Sequence, residues 1–230
     1  MIKKVNFWAI FVFYLVAILC RYLTNQVGIL DGIVNDQLKS ILTGIGPALG
    51  AVIVFIVFKI KPTMSFKGNY KHLIFPLMLY WLLPIIFIST IIYIKTETIQ
   101  WLIVFSILIY GLLEEIGWRG FLFQELKKLP LIYNIFIVST LWFLWHLNFD
   151  FTASNLMFYG VLIVGSWGIG KVADSTNSLL AVSAFHSLNN FFPELDSTKG
   201  LILVVLISVW IIGLIIRRKQ KVRKEILSRN

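Results

Sequence analysis

Two adjacent carboxylates and an arginine lie inside a long apolar run. Residues 111–124 read GLLEEIGWRGFLFQ, which puts Glu114, Glu115 and Arg119 where a lipid-facing helix would carry hydrocarbon. Each such charge costs about 2.5–3.5 kcal/mol at the bilayer centre on the insertion scale, so the three oppose insertion unless they pair or meet water. Glu115 and Arg119 stand four apart with the acid first, the order in which helical side chains meet. Glu114 is rotated by about 100° from Glu115 and must face something else. Groups of this kind either clamp one helix to another or handle protons, ions or substrate.

The histidines supply possible partners. His72 falls in a basic loop and reads as a solvated side chain, whereas His146 lies in TLWFLWHLNF and His186 in SAFHSLNNFF, both poor in hydration. His186 and Asn190 are four apart and share a helix face, with Asn189 the adjacent alternative. A carboxylate, two imidazoles and an amide can take a proton from water and stabilise an oxyanion, so together they form a hydrolytic set. Ser183 and Ser187 are near His186 in sequence, but neither stands in a recognisable nucleophile context. Glu114, His146 and His186 are also a His, His, Glu set of the type that holds catalytic zinc. The HExxH spacing that marks such a site on one helix is absent, and a metal-free reading is preferred.

The elements that must position these groups are membrane spans. The chain has 230 residues, is 58% hydrophobic with 14% charged, and its mean hydropathy of +0.85 exceeds what a soluble core of this size could bury. Continuous apolar runs suit helices rather than barrel strands. The expected fold is an all-α polytopic membrane helix bundle of about eight transmembrane helices: 7–23, 41–59, 73–94, 101–122, 131–147, 156–172, 178–192 and 201–216. The expected divisions are 1–100 with three helices, 101–200 as a four-helix catalytic core, and 201–230 as a last helix and basic tail.

With the N-terminus in the cytoplasm, sixteen of the twenty-one basic residues fall inside, and Arg21, Lys39, Lys95 and Lys199 fall in outer loops. That bias agrees with the even span count and puts both termini on the cytoplasmic side. The net charge of +10 therefore reads as a topology signal, not as a nucleic-acid footprint. The tail RRKQKVRKEILSR would rest on anionic lipid. The single cysteine, Cys20, forms no disulfide framework. Gly46 and Gly50 make a GxxxG spacing read as close helix packing, with Pro47 marking a kink or a half-helix start.

Taken in order, EExxxR (Glu114, Glu115, Arg119), His146 after an aromatic stretch, and HxxxN (His186, Asn190) resemble the three motifs of the CAAX protease and bacteriocin-processing family, also called the Abi family. The resemblance covers about 111–192, with weaker similarity at GPALGA in the second span. It departs from the family pattern in having Trp142, not Phe, four before His146, and Leu147-Asn148 where many relatives continue Leu-Pro.

The resemblance implies an intramembrane endopeptidase acting on a peptide or protein in or near the bilayer, and the basic, lysine-rich composition with many Ile and Phe residues suggests a bacterial plasma membrane. It further implies that Glu114 with His146 activates water, that His186 and Asn190 stabilise the oxyanion, and that Arg119 orients Glu115. Two other functions compete with it: a non-catalytic immunity protein or membrane scaffold, for which the family has precedents, and a proton-coupled carrier using the same carboxylates and histidines.

Overall fold

The computed structural model describes residues 4–69, 73–74, 77–97, 101–190 and the isolated positions 201, 204–205, 208, 212, 215–216 and 219; at 80, 92, 95–96, 101–102 and 189 it describes backbone alone. Among these residues the architecture is all-helical. The elements are α1 (Phe7–Tyr22), α2 (Asp36–Leu42), α3 (Ile45–Val57), α4 (Leu83–Thr96), α5 (Trp101–Gly117), α6 (Phe123–Leu126), α7 (Leu131–Trp145), α8 (Ala153–Thr176) and α9 (Leu179–Asn190). Wide π-type turns extend α1 over Leu23–Val27, precede α4 over Met78–Leu82 and extend α5 over Trp118–Leu122. The expected span 201–216 falls mostly on residues outside those described, as do His72 and the basic tail apart from Lys219.

Local chemistry sets the helix ends. The Asn6 side chain accepts from the Ala9 N–H at 3.0 Å to cap α1, and Thr152 does the same for Asn155 at the start of α8. Asn177, in the left-handed conformation at φ 50°, stops α8. The next residue, Ser178, caps α9 by accepting from the Ala181 N–H at 3.1 Å. α7 follows Pro130 and ends before Leu147, whose φ of 57° turns the chain away immediately after His146. What reads as one second span is two pieces: α2 ends at Leu42 and α3 begins at Ile45, with Pro47 in its first turn, where a missing N–H costs nothing.

Among the described residues, three stretches are long and apolar enough to cross a membrane, Phe7–Val27, Asp36–Val57 and Ala153–Thr176; Leu131–Trp145 and Leu179–Leu188 are shorter apolar helices. Trp8, Ile56, Leu156 and Val164 are each more than 60% exposed, an outward apolar surface that water would penalise and lipid would not. The protein is a membrane protein.

α5 is the central strut, packed against α2, α3 and α9, while α8 covers α7 and α9. α3 also packs on α1 by close approach. A side chain at Gly46 would put its Cβ 2.6 Å from the Ala17 carbonyl oxygen, and one at Gly50 would meet that of Phe13 at the same distance. The GxxxG face is thus the α1–α3 contact. Phe13, Trp118, Phe121 and Trp145 pack edge-on or tilted at 5.1–5.9 Å beneath the polar cluster of α5, forming the aromatic core that holds it in place.

Candidate active site

The polar residues singled out in α5, α7 and α9 come together. Glu114, Glu115 and Arg119 are at most 1% exposed, and His186 is 3% exposed. They divide into two groups that share one wall.

The first group ties α5 to α9. Glu115 Oε1 accepts from Arg119 Nη1 at 2.8 Å and pairs with His186 Nδ1 at 2.7 Å, so one carboxylate oxygen holds both side chains in position. The four-residue spacing brings Glu115 and Arg119 into contact as expected. A bond from Nδ1 fixes the His186 ring and leaves Nε2 as its second polar atom. Arg119 Nε and Nη2 and Glu115 Oε2 have no hydrogen-bond partner among the described residues.

The second group surrounds Glu114. Its Oε2 accepts from Trp142 Nε1 at 2.8 Å and from Trp118 Nε1 at 3.2 Å. Tyr110, one turn earlier on α5, also interacts with it through its hydroxyl, and His146, His186 and Arg21 are all within electrostatic reach. Glu114 therefore faces the histidines and two indole donors, not lipid. His146, at the end of α7, is bonded through Nδ1 to the Trp142 carbonyl oxygen at 2.8 Å, so Nδ1 carries the hydrogen and Nε2 is the basic atom. Trp145 and Phe158 flank its ring at 5.2 and 4.8 Å.

Trp142 is the shared wall. Its ring lies 5.0 Å from the His186 ring and 6.5 Å from that of His146, the Arg119 guanidinium stacks on it at 4.4 Å, and its N–H goes to Glu114. It occupies the position where Trp replaces the expected Phe, and the indole adds a polar donor that a phenyl ring lacks.

A cavity of about 290 Å³ lies at the end of the bundle where α1 finishes and α2 begins, and touches this cluster through Tyr110, the hydroxyl partner of Glu114. Arg21, Asn25, Ser40, Thr43, Ile107, Tyr110 and Asn190 line it. Asn190 Nδ2 and Arg21 Nε are buried donors without a partner among the described residues. Asn190 thus stands beside the cluster as the HxxxN spacing implies. The side chain of Asn189 is not among those described. Ser183 and Ser187 spend their hydroxyls on the carbonyls of Leu179 and Ala184, at 2.6 and 2.8 Å, which leaves neither poised as a nucleophile.

Arg21, Tyr110 and Trp118 are the residues that sequence reasoning missed. Arg21 reads as an outer-loop charge, yet its guanidinium lies 4.4 Å over the Trp145 ring and reaches the Thr43 carbonyl at 3.4 Å. The available signal was a cation at the end of an apolar helix, where an unpaired charge is costly. Trp118 is four residues after Glu114, the spacing at which it meets the carboxylate.

The wide turn begins at this point, with the Phe123 N–H bonding to Trp118 O. Such turns concentrate where a helix must present side chains off its regular face.

Among the described residues, no three His, Cys, Asp or Glu side chains are grouped as a metal ion would require. Residues 96–192 match the family described as type II CAAX prenyl endopeptidase Rce1-like. This supports assignment to the CAAX protease family, and the matched segment contains every motif residue named above. No curated protein matches the chain, and no solved structure does.

Proposed function

We propose that the chain, whose residues 96–192 match a CAAX-type protease family, is an intramembrane endopeptidase that hydrolyses a peptide bond with a water activated by Glu114 and His146. The observation that carries this reading is Glu114 buried between two indole N–H donors, within electrostatic reach of both histidines and bonded to Tyr110, which lines a cavity together with Asn190. Both indole bonds fall on Oε2, so Oε1 is the atom to take a proton. Water loses that proton as its oxygen attacks the peptide carbonyl carbon, and the carbonyl electrons move onto oxygen. His186 Nε2, when protonated, and Asn190 Nδ2 are donors for that oxyanion. Collapse of the tetrahedral intermediate breaks the C–N bond, and the proton passes to the departing amine. Arg119 and Glu115 act through His186, as positioning residues.

A metal-free route is the one we propose, because among the described residues no three His, Cys, Asp or Glu side chains are grouped as a metal ion would require. The substrate we infer is a peptide or protein segment in or beside the bilayer. It reaches the site in a multi-pass protein of about eight helices with both termini cytoplasmic.

The test is E114Q, assayed for cleavage of a membrane-presented peptide library in liposomes. Gln keeps an oxygen for the two indoles but cannot take the proton, so turnover should fall by about 10²–10⁴-fold, the usual worth of a general base. Unchanged turnover would remove the proposal. A second reading draws on the Glu115–Arg119–His186 contact, which would serve equally as an interhelical clamp in a non-catalytic immunity protein or scaffold. On that reading E114Q leaves the cellular phenotype intact, whereas loss of the phenotype at normal protein level excludes it.

A further inference from the structure

At the opposite end of the bundle from the site, a cavity of about 780 Å³ opens between the lead-in to α1, the end of α3 with the connector that follows, and the α6 region. Four lysines from these three segments, Lys4, Lys59, Lys61 and Lys128, converge on it, against the single acid Glu125.

Glu125 is already engaged. Its Oε1 accepts from the Asn6 N–H at 2.7 Å and pairs with Lys128. Lys128 in turn donates to the Lys4 carbonyl at 3.1 Å, which fixes the rim. Lys4, Lys59 and Lys61 form no ion pair among the described residues. The lining thus carries a net charge of +3 with three uncommitted ammonium groups. Lys59 holds a left-handed backbone at φ 53°, a conformation that costs a non-glycine residue and sets the direction of its side chain.

The rest of the lining is partly polar, with Asn6, Thr63 and Gln124, and partly apolar, with Phe55, Ile60 and Phe121. On either side the helices continue into outward apolar surface, with Phe7 and Trp8 on α1 at 71% and 73% exposure, and Ile56 and Val57 on α3 at 71% and 63%. A cationic rim over an apolar floor that runs out onto a lipid-facing surface matches a phosphate ester bearing an apolar body.

We propose that this cavity binds the phosphate of an anionic glycerophospholipid, with the acyl chains leaving along α1 and α3. A soluble glycerophosphate presents the same oxyanion, and the apolar exit favours the lipid. The site is separate from the catalytic reading and does not depend on it.

The full-length protein in detergent would be titrated with dioleoyl phosphatidylglycerol, dioleoyl phosphatidylcholine and glycerol 3-phosphate, following lipid retention by native mass spectrometry and thermal stability. A parallel background carrying R217Q, R218Q, K219Q, K221Q, R223Q, K224Q and R229Q removes attraction by the tail. Phosphatidylglycerol should bind at least about tenfold tighter than phosphatidylcholine in both backgrounds. The K59Q/K61Q variant should lose about thirtyfold, two lysines at their usual worth near an anionic surface. K39Q, at the other end of the bundle and paired with Asp31, should lose nothing. Glycerol 3-phosphate that displaces the lipid at matching concentration would assign the site to soluble phosphate esters; displacement only at far higher concentration assigns it to lipid. Equal binding of the two phospholipids with no response to glycerol 3-phosphate, or an unaltered preference in K59Q/K61Q, overturns the proposal.

Discussion

Trp142 Nε1 donates to Glu114 Oε2 at 2.8 Å, joining α7 to α5 through the one carboxylate that faces both histidines. A buried charge-assisted bond of this type is worth about 1.5–3 kcal/mol, and here it fixes the orientation of the carboxylate. W142F keeps the aromatic wall against His186 but removes the donor. Turnover should fall by about tenfold or more, with KM changing by less than about threefold, because the bond orients a reacting group without holding substrate. Steady-state kinetics on a liposome-presented peptide decide it, and an unchanged kcat would show Trp142 to be packing alone.

The Glu115–Arg119 pair makes a different prediction, about stability. Both side chains are fully buried, and Arg119 also stacks on Trp142. R119M should leave the Glu115 charge with only His186 to balance it and cost about 3–5 kcal/mol, as breaking a buried pair does. The double variant E115Q/R119M should be more stable than R119M, since no lone charge remains. Thermal unfolding in detergent reads the cycle, and additive losses would mean the two residues are not coupled.

Much of this site was legible in the sequence, and the limits of that reading are physical. Charges in an apolar run have few uses, so Glu114, Glu115 and Arg119 stood out at once, and four-residue spacing paired Glu115 with Arg119 and placed Asn190 with His186. The expected spans 131–147 and 178–192 begin within one residue of α7 and α9.

Arg21 was hidden because its pairing is tertiary. A cation near the end of an apolar stretch looks like a loop charge until Trp145 and Thr43 are seen around it. Trp118, and the donor role of Trp142, were hidden for a related reason. Indoles count as apolar in any periodicity argument, and only the fold shows where the N–H points. The wide turn at Trp118–Leu122 holds Gly120 and follows Gly117, but isolated glycines are tolerated in a regular helix, and so the fourth span read as unbroken.

The α1–α3 contact links packing to the site. Trp145 donates to the Ala17 carbonyl at 3.0 Å, and Ala17 lies directly against Gly46. G46L must push α1 away from α3, costing about 1–3 kcal/mol of overpacking strain and displacing Arg21 and the backing of His146 together. A lower melting temperature is expected, with turnover reduced in the protein that remains folded at low temperature. A variant with wild-type activity and stability would show that the two helices separate freely.

Asn190 tests the oxyanion assignment. Its Nδ2 is buried in the cavity wall with no partner among the described residues, which is how a donor kept for a transient charge should look. N190A should cost about 10²–10³-fold in kcat, the range for loss of one oxyanion donor, with little change in KM. N190D removes the amide hydrogens at nearly constant volume and should lose as much. If N190A instead raises KM alone, the amide holds substrate and some other group faces the oxyanion.

Which face of the membrane the cavity opens to follows from charge. The site end carries Arg21 and Lys39, with Asp31, Asp36 and Asp150 close to it in the chain, while Lys4, Lys59, Lys61, Lys67, Lys127 and Lys128 gather near the other. Positive charge is retained on the cytoplasmic side, so the cavity lined by Ser40 and Asn190 should open outward and the lysine-lined one inward. In a Cys20→Ala background, S40C should react with a membrane-impermeant maleimide added to intact cells. T63C, which lines the lysine cavity, should react only after the membrane is opened. The reverse pattern would place the catalytic cavity on the cytoplasmic side and require substrates made or held there, because a peptide must enter from the face to which Asn190 is open.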